Sequence, residues 1–155
     1  MRHLVVPRTL CFVLDGDEVL LITRALHKRL FPGKVNGLGG HVEAGEDPAA
    51  AAAREIEEEA GIAVYDLWLA GVIHVDGALG QAEPLADGVW PGVLVLVYTA
   101  QAASRAVRAS EEGTLAWTRL NAVDGLDWVD GDPRLLRLAL AARQSGEPFS
   151  LYLSG

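Results

Sequence analysis

Cysteine is almost absent from this chain of 155 residues: Cys11 stands alone, so no internal disulfide can staple the fold. It lies in the apolar run Leu10-Cys11-Phe12-Val13-Leu14 and reads as a core residue. Basic residues are scarce as well, 13 Lys and Arg against 21 Asp and Glu, which leaves a net charge of −8. A surface of that sign repels a long polyanion, which argues against polymeric nucleic acid as a partner. Local cations or a bound metal can still reverse the potential inside one cleft. Long hydrophobic runs are missing too: no uninterrupted apolar segment approaches the ~18 residues of a membrane span. The apolar stretch after Met1-Arg2-His3 is cut by Pro7, too early for the core of a signal peptide. These absences lead us to expect a soluble, cytoplasmic protein with no membrane partner. What is present is 50% apolar residues, enough in this length for a single domain over residues 1–155. Monomer and homodimer both stay open.

Residues 9–14 and 19–23 are short, apolar and rich in β-formers, and Asp15-Gly16-Asp17 between them supplies turn chemistry, so they predict a hairpin. Residues 25–40 scatter Lys28, Arg29 and Lys34 among Pro32, Gly33, Gly37, Gly39 and Gly40, the signature of a basic loop with accessible backbone. A helix is expected from about Pro48, with Asp47 as its cap, Pro48 in its first turn, five alanines within it and Gly61 at its end. Further strands are expected over residues 64–75, 93–99 and 115–120, with a long loop or extended hairpin at 76–91. Asp132-Pro133 opens a second helix that closes near Gly146. Strands on both sides of a central helix, with a second helix near the end, imply an α/β protein in which a mixed sheet is sandwiched between helices.

The chemistry concentrates in Gly40-His41-Val42-Glu43-Ala44-Gly45-Glu46 and, seven residues on, Arg54-Glu55-Ile56-Glu57-Glu58-Glu59-Ala60-Gly61-Ile62. On a helix, Glu55, Glu58 and Glu59 stand at i, i+3 and i+4, so their carboxylates share one face. Like charges at that spacing cost ~0.2–0.5 kcal/mol per pair, and a hard divalent cation between them reverses the sign. A glutamate run by itself is more often a solvated helix face. Here Arg54 is placed to orient a carboxylate, and Gly37, Gly39 and Gly40 let backbone groups approach a ligand closely.

The whole pattern resembles the Nudix box: a glycine, five residues, a glutamate, seven residues, then Arg-Glu-apolar-any-Glu-Glu-any-Gly-apolar. Gly40 through Ile62 satisfies every fixed position. Fixed residues at background frequencies of roughly 5–9% each multiply to about 10⁻⁸, which removes coincidence as an explanation. The resemblance implies the family's α/β/α sandwich and water attack on a phosphorus of a nucleoside diphosphate linked to another moiety. Carried over by position, it implies Glu55, Glu58 and Glu59 as metal ligands together with the Gly39 carbonyl. Mg²⁺ is then the expected cofactor, with Mn²⁺ able to substitute. Arg54 and Glu46 would be orienting partners, and Glu58 is favoured as the base that takes the water's proton. Members often recruit one more acidic ligand from outside the box. Glu112 matches its place, with Glu111 and Glu83 as alternatives.

Outside the box, Phe31 through Gly40 resembles the loop of the MutT-like branch that acts on oxidised purine nucleoside triphosphates. Asn36 matches the asparagine that reads the base there, while Val35 replaces the tryptophan usual before it. Trp128-Val129-Asp130-Gly131-Asp132 resembles that branch's tryptophan followed by acidic residues at the purine edge, with Gly131 inserted. Asp132 has a competing task as a helix cap, so Asp130 is the better base reader. Phe31 and Lys34 complete the expected substrate-binding set, whereas His41, His74, Trp90 and Trp117 read as structural. The tail around Phe149 resembles the branch's closing strand. The expected reaction is conversion of a purine nucleoside triphosphate, 8-oxo-dGTP among the candidates, to the monophosphate and pyrophosphate. ADP-ribose, a dinucleoside polyphosphate or another nucleoside diphosphate derivative is the alternative substrate. A ligand-sensing regulator would have lost carboxylates that are all present. An isoprenoid-diphosphate isomerase would need a catalytic cysteine, for which only Cys11 is available.

Overall fold

The apolar run at residues 10–14 becomes part of a strand buried on both faces. In the computed structural model, which describes residues 2–77 and 86–154, β1 spans Val5–Asp15 and lies at the centre of a seven-stranded sheet. It pairs antiparallel with β2 (Glu18–Arg24) and parallel with β5 (Gly92–Ala102). β5 pairs antiparallel with β4 (Val64–Val75), which in turn pairs in parallel with β7 (Phe149–Leu153). β2 also pairs antiparallel with the two-residue β3 (Val35–Asn36) and with β6 (Gly113–Arg119). The mixed sheet expected from the sequence is thus present.

Strand alternation splits β1 between two cores. Cys11 and Val13 face the helix α1 (Pro48–Ala60), with Leu20, Ile22, Leu38, Ile56 and Ala60 around them. Leu10, Phe12 and Leu14 face the opposite layer, built on α2 (Arg134–Ser145) with Leu136, Ala139, Val97 and Ile73. Where a strand is covered on both faces its side chains are apolar in succession, which is why residues 10–14 and 19–22 show no alternation.

Both helices begin and end largely as their sequences direct. The Asp47 carboxylate accepts from the Ala50 N–H at 3.0 Å, and Gly61 closes α1 in the left-handed conformation (φ 72°). α2 starts one step later than Asp132-Pro133 suggests: Pro133 is the cap residue, and the Asp132 carboxylate accepts from the Arg134 N–H at 2.8 Å. The expected loop over residues 25–40 is a loop only in its first part. From Val35 on, the chain runs beside the existing strands, with Leu38 exchanging backbone hydrogen bonds with Cys11 (2.6 and 3.0 Å) and the Gly40 carbonyl accepting from the Thr9 N–H (2.8 Å). Much of the expected 76–91 connection, Glu83 included, lies outside the described residues. Among the described residues no helix is long and apolar enough to cross a membrane.

Ile56, fully buried, is the side chain through which α1 grips the sheet. Ile56→Ala should therefore destabilise the protein by about 2–5 kcal/mol, from lost transfer energy and the cavity left behind. Urea unfolding followed by circular dichroism should show a lower midpoint with an unchanged slope.

Candidate active site

The segment 37–40 presses so closely on β1 that side chains have no room. A Cβ on Gly39 would lie 2.0 Å from the Thr9 carbonyl oxygen, and one on Gly37 2.8 Å from that of Cys11. Glycine is needed for this approach. The Leu38 and Gly40 carbonyls take the β1 amides, so alternation turns the Gly39 carbonyl to the other side, away from those bonds. On α1, Glu55 reaches the same place: a Cβ on Gly40 would meet its carboxyl carbon at 2.5 Å. Glu59, only 5% exposed, accepts from the Gly39 N–H at 3.3 Å.

Arg54 organises the rim. Its Nε and Nη2 donate to the two oxygens of Glu46 (2.7 and 3.0 Å), a bidentate pair that holds the Glu46 carboxyl down at a pKa of about 2. Nη2 also donates to the His41 carbonyl at 3.1 Å, and Nη1 reaches Glu55 at 3.0 Å and both oxygens of Glu58 at 3.3 Å. Deeper in, charge is less well compensated. Burial, reinforced by the neighbouring Glu55 and Glu112 charges, pushes the Glu59 carboxyl up to about 8, against the smaller opposing pull of the Gly39 N–H and Arg24. Burial also raises Glu55, with Arg54 opposing.

These groups line one end of a cleft of about 830 Å³. Glu55, Glu58, Glu59 and Glu112 converge there with Gly39, Gly40, Arg8, Arg24 and His41. Its far wall, between the sheet and α2, is aliphatic: Ile73, Val75, Val93, Val95, Leu135 and Leu153. Among the described residues no group of three His, Cys, Asp or Glu side chains forms a finished metal cage. The Arg54 guanidinium pairs with both Glu55 and Glu58. The donor set itself, four carboxylates and a carbonyl, is all hard oxygen and fits a Mg²⁺-like or Mn²⁺-like cation.

A family profile described as the NUDIX domain matches residues 5–138. The chain belongs to the Nudix family. It is 42% identical over 105 residues to an isopentenyl-diphosphate Delta-isomerase of Mycolicibacterium vanbaalenii, covering 52% of this chain and 58% of the relative. It is 43% identical over 61 residues to the NAD-capped RNA hydrolase NudC of Pseudomonas aeruginosa, covering 39% of this chain and 21% of that protein. The chain thus spans little more than half of one curated relative and about a fifth of the other. Among solved structures, a MutT protein of Bacillus halodurans is 26% identical, with a TM-score of 0.67 over 86% of this chain and 80% of that one.

Within this Nudix domain, the structure gathers the box residues expected from the sequence and sorts the others. Asn36, Phe31 and Asp130 line the cleft with Asp132. The Asn36 side-chain oxygen accepts from the Gly37 N–H at 2.9 Å, which leaves its amide N–H groups for a ligand. Burial and the nearby Asp132 raise the Asp130 carboxyl, though the residue's surface is exposed and solvent screens that effect. Glu112 lines the cleft and pairs with Lys28 at 2.8 Å, whereas Glu111 is exposed and outside it.

Two expectations are corrected. Trp128 offers no face to a base: it is 4% exposed, packed in the α2-side core, and its indole N–H donates to the Val123 carbonyl at 2.8 Å. Lys34 does not line the cleft and pairs with Asp127 at 2.8 Å. Arg8, by contrast, escaped the sequence reading. Its signal was a cation inside an apolar central strand, on the same side as Leu10.

Glu59 yields a prediction for the metal-free protein. Its carboxyl titrates near 4.5 when unperturbed and near 8 in the fold. Between those values the folded chain holds a proton that the unfolded chain has released, so raising the pH through this window destabilises the fold. Glu59→Gln removes that titration. In chelator, the Tm of the variant should rise relative to wild type as the pH goes from about 5 to about 8. A pH-independent difference between the two refutes the assignment.

Proposed function

We propose that this Nudix domain hydrolyses a phosphoanhydride bond of a purine nucleoside triphosphate, releasing the monophosphate and pyrophosphate. The observation that carries the reading is the convergence of Glu55, Glu58, Glu59 and Glu112 on the Gly39–Gly40 backbone at one end of a cleft. In this reading Glu55, Glu58, Glu59, Glu112 and the Gly39 carbonyl hold the divalent cation that Nudix hydrolases generally use. Bound there, the cation neutralises the diphosphate and makes the attacking water a better nucleophile. Arg54, anchored by Glu46, keeps Glu55 and Glu58 aimed into the cleft. Glu58 is the most accessible of the box carboxylates that Arg54 touches apart from Glu43, and we assign it the water's proton. Phe31, Asn36 and Asp130 border the base, with the aliphatic wall beneath it.

The isomerase reading, suggested by the M. vanbaalenii relative, fares worse in this chain. Cys11 is fully buried and absent from the cleft lining, and burial pushes its thiol up to about 12, so it offers neither access nor thiolate character.

Activity should vanish with a chelator and return with Mg²⁺ or Mn²⁺. Glu58→Gln should lower kcat by at least ~10²-fold with an unchanged circular dichroism spectrum, through lost base catalysis and metal charge balance. Steady-state kinetics on fully metallated protein decide this, since near-normal turnover would remove Glu58 from the mechanism.

Base selectivity now rests on Asn36 and Asp130 without Trp128. Oxidation at C8 of guanine turns N7 from an acceptor into a donor, and one hydrogen bond to a charged acceptor contributes ~1.5–3 kcal/mol, about tenfold or more in selectivity. We expect kcat/KM to rank 8-oxo-dGTP and dGTP above dCTP and ADP-ribose, with Asp130→Ala flattening the ranking. Preference for ADP-ribose, or unchanged selectivity in Asp130→Ala, would overturn the purine assignment and leave the hydrolase reading intact.

A further inference from the structure

Before the start of β1, two histidines from distant parts of the chain meet. His3 precedes β1 and His74 lies near the end of β4, with β5 running between those strands. Their rings reach across β5 at Gly92, whose N–H donates to the Leu4 carbonyl at 3.0 Å. A Cβ on Gly92 would lie 2.5 Å from His3 Nε2 and 2.9 Å from His74 Nε2. The missing side chain is what lets the two nitrogens come together.

They face each other with Nε2···Nε2 at 3.0 Å, ring centroids 4.9 Å apart and planes inclined by 61°. Without metal this is an N–H···N hydrogen bond in which the tautomers decide which ring donates. The same spacing suits two ligands of one ion. Nitrogens 3.0 Å apart, each about 2.0–2.1 Å from a metal, subtend roughly 95° at it. That is a cis angle of square-planar or octahedral coordination, the preference of Cu²⁺ and Ni²⁺ with N and O ligands, and it is tighter than a tetrahedral angle. His3 is exposed, so water can complete the coordination, and Tyr152 of the edge strand β7 packs beside His74 with centroids 5.2 Å apart.

We propose that His3 and His74, brought together over Gly92, form a two-imidazole transition-metal site that clamps the segment before β1 to β4. The site is separate from the carboxylate cleft. His3 lies six steps of mostly extended chain before Thr9, whose N–H donates to the Gly40 carbonyl, about 20 Å along the strand at ~3.3 Å per step. The two sites also differ in chemistry, since imidazole selects Cu²⁺ and Ni²⁺ where carboxylates and carbonyls suit Mg²⁺.

The test is electron paramagnetic resonance of the full chain titrated with Cu²⁺ while Mg²⁺ is saturating. The expected result is one Cu²⁺ per chain with hyperfine coupling to two imidazole nitrogens. His3→Gln, which lies outside every strand, should leave coupling to a single nitrogen, and Gly92→Ala should weaken binding because its Cβ intrudes between the rings. The Glu55→Gln signal should match wild type. Loss of the Cu²⁺ signal under Mg²⁺ or in Glu55→Gln would place the ion in the cleft, and two-nitrogen coupling that survives His3→Gln would place it at other histidines. Either outcome overturns the proposal.

Discussion

Crowded carboxylates with too little compensating charge are the constraint around which this domain is arranged. Burial raises the Glu55 and Glu59 carboxyls inside a partly buried cleft, and neighbouring carboxylates, Glu112 among them, add to it. The fold answers with one guanidinium. Arg54 is held by Glu46 on one side and reaches Glu55 and Glu58 on the other, so a single cation sets the orientation of three carboxylates. Glu59 forms no ion pair with Arg54 and accepts instead from the Gly39 N–H, which opposes only part of the burial that raises its carboxyl so far above its ordinary value.

That arrangement depends on glycine as much as on charge. The 37–40 segment can carry its backbone to the carboxylates only because it lies against β1 with no side chains between, and β1 can accept it only because its own side chains are committed to two cores. The apolar continuity of β1 and the glycine spacing after Asn36 are therefore two parts of one packing solution. A larger residue at Gly39 would displace the strand backbone, and one at Gly40 would displace the Glu55 carboxyl.

Much of this was legible because it is local. The spacing of Glu55, Glu58 and Glu59 determines their shared helix face, and Asp47 and Gly61 mark the helix ends by chemistry that acts within a few residues. The Nudix pattern is also contiguous in the chain. What escaped reading depends on contacts between distant segments. Trp128 follows a loop and precedes acidic residues, which resembles a base-reading site, yet the carbonyl of Val123 and the α2-side core claim it. Lys34 sits in the expected binding loop but has Asp127 across from it. Arg8 reads as an isolated cation in a strand until the cleft is seen to open on its side of the sheet.

Withdrawal of Trp128 changes the recognition problem itself. An indole in the cleft would offer a broad flat face for stacking, whereas the apolar lining that remains is branched aliphatic side chains with the single ring of Phe31. Such a wall rewards apolar area and shape but discriminates weakly among groups of similar size. The polar rim of the cleft differs in kind: Asn36 has donors left there and Asp130 offers an acceptor. Polar groups discriminate by what they lose when left unpaired, a larger penalty than a methylene's worth of contact. In this domain a motif shared across a family gathers the carboxylates at one end of the cleft, whereas the side chains that line the rest of it take positions that only the folded chain determines.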